Sequence, residues 1–160
     1  MAIVRVDIGE GWEEYLTEPG ARTTMPAPRR RVGAELPTEH DEQAALFATA
    51  QRRARRDPAA GALRLLFAIP NGGARHPAVA AKLQEEGVQP GVPDLFLPVP
   101  RGGVPGCFIE LKRAQGGRVA PAQAQWHAKL AEQGYHVAVC RGAAAAWTVL
   151  CDYLGLQEDV

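Results

Sequence analysis

Two short apolar runs joined by a turn-rich segment constrain this chain more than any other feature. Leu95–Leu97 and Cys107–Lys112 have the length and composition of strands, and the stretch between them carries Pro98, Pro100, Gly102, Gly103, Pro105 and Gly106. That pattern predicts two strands paired as a hairpin. Within the second run, residues two apart share a face, so Glu110 and Lys112 project to one side while Ile109 and Leu111 project to the other.

The segments around the hairpin alternate between helical and extended patterns. Thr38 is a capping residue followed by Glu39, Asp41 and Glu42, then by Leu46, Phe47 and Ala50 at helical spacing, which predicts a helix ending near Asp57-Pro58. Leu63 to Ile69 is a short apolar run closed by Pro70-Asn71-Gly72-Gly73 and is expected to be a buried strand with a tight loop. Pro77 opens a shorter helix that stops at Gly87. Pro121 starts another, with Trp126 and Leu130 on one face and Gly134 as its stop, and His136 to Cys140 follows as a strand. A last helix from Ala143 places Trp147, Leu150, Cys151 and Leu154 on a core stripe. Helix, strand, helix, strand, strand, helix, strand, helix is the order of an α/β domain with a mixed sheet flanked by helices. At 160 residues the chain suits one domain, assigned to 38–160, with residues 1–37 as an N-terminal arm or appended strand.

Composition excludes several classes. Eighteen basic and 18 acidic residues leave a net charge of zero, so nucleic acid must be met through local patches and not bulk positive charge. Cys107, Cys140 and Cys151 are widely spaced and form no CxxC, which indicates neither a disulfide framework nor a zinc site and fits a reducing cytoplasm. No apolar run reaches the roughly 18 residues of a membrane helix, and the N-terminus lacks a signal-peptide pattern, so a soluble, unexported protein is expected.

Asp94 follows Gly91-Val92-Pro93 at the start of the first hairpin strand, where pairing brings its carboxylate beside Glu110. Two hard oxygen ligands that leave room for water are what Mg²⁺ prefers. A divalent ion activates water and neutralises charge during phosphodiester hydrolysis, and Lys112 on the same face adds a cation for the scissile phosphate or the attacking water. The Leu111 carbonyl is a further candidate oxygen. These residues point to a metal-dependent nuclease.

Pro93-Asp94 with Glu110-Leu111-Lys112 matches the pattern of the PD-(D/E)XK nucleases. Phe67 to Gly73, Glu86-Gly87-Val88, Gly91 to Leu97 and Phe108 to Arg113 resemble the VRR-NUC branch, with the likeness running from about Thr38 to Leu154. It extends to a leading-helix acid, carried best by Glu39 four residues before Gln43, and to Gln123 two residues after Pro121. Glu42 and Gln125 compete for those two roles. The resemblance implies a restriction-endonuclease-like αβββαβ core, a requirement for Mg²⁺ or Mn²⁺, and cleavage of branched DNA such as four-way junctions or flaps by a homodimer. The site it implies is catalytic Glu39, Asp94, Glu110, Lys112 and Gln123, with Asp94, Glu110 and the Leu111 carbonyl on the metal.

Blander roles compete with some of these assignments. A first-turn acid such as Glu39 also simply complements the helix dipole. Arg52, Arg53, Arg55 and Arg56 read as a solvated helix face or a phosphate grip, as do Arg29, Arg30 and Arg31, and Arg75 and Lys82 are further candidates for DNA contact. His40, His76, His127 and His136 lack metal-ligand spacing and are expected at the surface or satisfied in the core. The competing functions are a nuclease of plain duplex DNA and a non-cleaving DNA-binding module of the same fold. Asp94→Ala or Lys112→Ala is expected to abolish cleavage with folding intact.

Overall fold

The structure, a computed structural model, describes residues 36–70 and 77–158 together with the backbone of residues 3–7 and 12–16. The Asn71-Gly72-Gly73 loop, Arg75, His76 and Arg29 to Arg31 lie outside the described residues. The strands are β1 (Ile3–Asp7), β2 (Trp12–Leu16), β3 (Phe67–Ala68), β4 (Leu95–Leu97), β5 (Cys107–Lys112) and β6 (His136–Arg141), and they form one mixed sheet in the order β2-β1-β6-β5-β4-β3. The helices are α1 (Glu39–Arg56), α2 (Pro77–Glu85), α3 (Pro121–Glu132) and α4 (Gly142–Leu154). From α1 onward the expected αβββαβ core is present, and no described helix is long and apolar enough to cross a membrane.

Local chemistry sets these elements. Thr38 Oγ1 accepts from the Asp41 N–H at 3.2 Å, and Asp41 Oδ2 accepts from the Thr38 N–H at 2.8 Å, a reciprocal cap that fixes the start of α1. Acids in its first turn and Arg53, Arg55 and Arg56 in its last complement the helix dipole.

The apolar run from Leu63 to Ile69 is not the buried strand its composition suggests. Residues Pro58–Leu65 form a 3₁₀ helix, and only Phe67–Ala68 is extended. Burial there recurs every three residues, at Ala60, Leu63 and Leu66, whereas Leu65 and Phe67 are 54% and 46% exposed. That is the repeat of a 3₁₀ helix, not the alternation of a strand. Its cause sits just upstream: Asp57 Oδ1 accepts from the Ala59 N–H at 2.9 Å, starting a helical turn in small residues before the apolar run begins.

β4 and β5 pair antiparallel as Leu95 with Ile109, Phe96 with Phe108 and Leu97 with Cys107, as the hairpin pattern predicts. α3 carries the chain over to β6, which runs parallel to β5, and β1 continues the sheet beyond β6 as the inner strand of a hairpin with β2. β5 is buried along its whole length and divides its side chains by parity. Cys107, Ile109 and Leu111 join Leu95, Leu97, Ala138 and Cys140 against Leu46 and Ala50 of α1 and Leu150 and Leu154 of α4. On the opposite face Phe108 stacks on Phe96 at 4.1 Å, and two and four residues further along come Glu110 and Lys112, under the start of α3.

Candidate active site

Three elements meet where β4 begins, β5 ends and α3 begins, and each brings polar side chains to one point. Glu110 has no exposed surface, and Lys112 is only 7% exposed. Lys112 Nζ donates to Glu110 Oε1 at 2.5 Å. Gln123, from the first turn of α3, donates through Nε2 to the same oxygen, also at 2.5 Å. Its amide is held in that orientation because Gln123 Oε1 accepts from the Ala120 N–H at 2.9 Å. One carboxylate oxygen thus receives an ammonium and an amide, charge-assisted contacts of the strong kind.

Asp94 reaches the same place from the other strand. Beyond the last paired residues, Leu95 and Ile109, its Oδ2 accepts the Leu111 N–H at 2.8 Å, so the carboxylate takes over a hydrogen bond the ladder leaves open. Its carbonyl accepts from the Ile69 N–H at 2.7 Å. The loop before it is fixed to α3 twice. Trp126 Nε1 donates to the Pro90 carbonyl at 3.1 Å, and Gly91, at φ +90°, lies so close to α3 that a Cβ there would stand 2.8 Å from the Ala122 carbonyl carbon. Burial, then the charge of Glu110, push the Asp94 carboxyl up from 3.8 to about 6, against the Leu111 N–H and Lys112, which lower it; Glu39 adds a smaller upward push.

Glu39 itself is exposed at the N-terminus of α1. Glu42 serves the scaffold instead, since its Oε2 accepts from the Ala143 N–H at 2.7 Å and caps α4. Gln125 is exposed, two residues beyond the Gln that touches Glu110. The arginine cluster of α1 is split. Arg53 pairs with Asp57 at 2.9 Å, while Arg52, Arg55 and Arg56 are exposed. They stand toward the far end of α1 from Glu39, about 20–26 Å away at roughly 1.5 Å rise per residue. Lys82 is exposed and 3.8 Å from Glu86.

One residue of the cluster is missed by spacing arguments. His127 is 1% exposed, with Nε2 3.5 Å from Glu110 Oε2, and neither of its ring nitrogens nor that oxygen has a hydrogen-bond partner among the described residues. It is therefore a core histidine, but not a satisfied one. The signal was its place four residues after Gln123, on the same face of one helix. His40 is exposed, and the His136 ring lies 5.7 Å from that of Tyr153.

Comparison with known proteins returns one family. The VRR-NUC domain matches residues 62–144, just over half of the chain, a span that holds Asp94, Glu110, Lys112, Gln123 and His127 but not Glu39. A solved structure described as a VRR_NUC domain protein superimposes with a TM-score of 0.63 at 26% identity, covering 78% of this chain and 93% of the other. No curated protein sequence matches.

Proposed function

The chain belongs to the VRR-NUC domain family of nuclease-type, DNA-processing domains, and from that premise we propose a divalent-metal-dependent endodeoxyribonuclease that cleaves branched DNA. Its catalytic residues in this reading are Glu39, Asp94, Glu110, Lys112 and Gln123, and Asp94, Glu110 and the Leu111 carbonyl hold Mg²⁺ or Mn²⁺. The observation that carries it is the convergence of two carboxylates, one just before β4 and one in β5, beside a nearly buried lysine.

The residues fit such an ion. Burial, and then the charge of Glu110, raise the Asp94 carboxyl, so a cation beside the two carboxylates would relieve that cost. Among the described residues no cluster of three or more His, Cys, Asp or Glu side chains could hold a metal alone. Two carboxylates supplemented by a carbonyl and water suit Mg²⁺, which retains much of its hydration. When bound, the ion would supply an activated water and offset the charge developing on the phosphate.

The chain's own groups do the rest. Lys112, held at Glu110, offers a fixed positive charge to the scissile phosphate in a site shielded from bulk water. Gln123, itself fixed by Ala120, keeps Glu110 from rotating. Glu39, exposed at the start of α1, would orient water in this reading.

Two copies acting together suit a branched substrate with two strands to cut. Self-association is supported by the outer strand β3, which leaves a sheet edge unpaired among the described residues with Leu65 and Phe67 exposed beside it. The test is cleavage of labelled four-way junction, flap, single-stranded and duplex DNA with Mg²⁺, Mn²⁺ or chelator. Ion-dependent products from junctions or flaps support the reading, duplex-only cleavage shifts the substrate, and binding without products on any substrate replaces it with a non-cleaving module.

A further inference from the structure

The two oxygens of Glu110 are treated unequally. Oε1 takes both Lys112 and Gln123, whereas Oε2 points into the protein toward His127 and has no hydrogen bond. The 3.5 Å separation from His127 Nε2 exceeds a normal N–H···O distance of about 2.9 Å by an amount that a small movement of the His127 side chain would close. His127 can be 1% exposed with two unpartnered ring nitrogens only at a cost in lost hydration. A leucine would fill a comparable space without that cost, so volume alone does not account for an imidazole here.

We propose that His127 is a positioning residue of the active site, whose ring N–H steers Glu110 Oε2 from the buried side and so presents the carboxylate to the divalent ion. This rests on the metal-dependent reading above. Lys112 and Gln123 hold the carboxylate from one side, and His127 backs it from the other. Groups behind a liganding carboxylate set its orientation, and their removal typically weakens metal binding by about 10–100-fold.

The experiment is Mn²⁺ titration of the full chain by calorimetry, without DNA, for the wild type, Asp94→Ala, His127→Leu and His127→Gln, with melting curves in chelator. His127→Leu should lose about 10–100-fold in Mn²⁺ affinity while melting at or above the wild-type temperature, since it removes two unpartnered polar atoms. Glutamine places an amide N–H where Nε2 stands, so His127→Gln should recover most of the affinity. Unchanged Mn²⁺ affinity in His127→Leu overturns the proposal, as does equal loss in both histidine variants or a lowered melting temperature for His127→Leu. If the wild type takes up no Mn²⁺, or Asp94→Ala binds it as well as the wild type, the metal site itself falls and this inference with it. Wild-type binding that depends on Asp94 but ignores His127 removes only the inference.

Discussion

Replacing Asp94 by Asn should stabilise the metal-free protein at neutral pH while destroying its activity. Asn keeps an oxygen to accept the Leu111 N–H but removes a charge that burial and Glu110 both disfavour. The rise of the carboxyl from 3.8 to about 6 corresponds to about 3 kcal/mol at roughly 1.4 kcal/mol per pH unit. Asp94 is only half-buried, so solvent screening reduces this to about 1–2 kcal/mol. The sign follows from proton uptake. Between the two values the folded wild type holds a proton that the unfolded chain has released, so its stability falls as pH rises from about 4 to 6. Urea denaturation in chelator should therefore give equal stabilities near pH 4, with a gap opening through that window and remaining at pH 7.5 in favour of Asp94→Asn. At about 2–4 °C per kcal/mol for a chain of this size, the gap is also visible in melting temperature. A variant less stable than the wild type at pH 7.5 without metal, or a gap that ignores pH, would refute the reasoning.

Other substitutions separate site from scaffold. Adding Mg²⁺ or Mn²⁺ should raise the wild-type melting temperature and leave Asp94→Asn unmoved, because an ion bound only by the folded state stabilises it by mass action; equal shifts in both would place the ion elsewhere. Glu42→Ala should cost about 1 kcal/mol of stability through its lost cap on α4, whereas Glu39→Ala should spare the melting temperature and slow cleavage. Gly91→Ala should destabilise by at least about 1–3 kcal/mol, since a residue at φ +90° would also drive its Cβ into Ala122. Lys112→Ala should abolish cleavage and, contrary to the simple expectation of intact folding, should also cost about 3–5 kcal/mol because it leaves Glu110 buried and short of its cation. The double variant Glu110→Gln, Lys112→Met should recover much of that loss in a urea melt.

The legible parts of the sequence were those where periodicity and chemistry agreed. Glu110 and Lys112 lie two apart in a strand with Pro and Gly punctuation, so their shared face and the pairing that brings Asp94 alongside followed from geometry alone. The start of α1 was readable in Thr38 and the acids after it. The run from Leu63 misleads because seven apolar-rich residues do not declare their period; the capping contact from Asp57 to Ala59 decides it. Glu39 and Glu42 cannot be separated by spacing, as both fit a first-turn acid, and only the long-range contact of Glu42 with Ala143 tells them apart. His127 escapes a search for metal-ligand spacing among histidines, because its significance lies in facing Glu110 from another element.

The most direct test of the account is single-turnover cleavage of labelled four-way junction DNA by the wild type and Glu110→Gln, with Mg²⁺ and with chelator, alongside binding to the same DNA. Products that require both the ion and the Glu110 carboxylate, with DNA binding retained in the variant, are the predicted result. Cleavage by Glu110→Gln at the wild-type rate, or cleavage that persists in chelator, would contradict it.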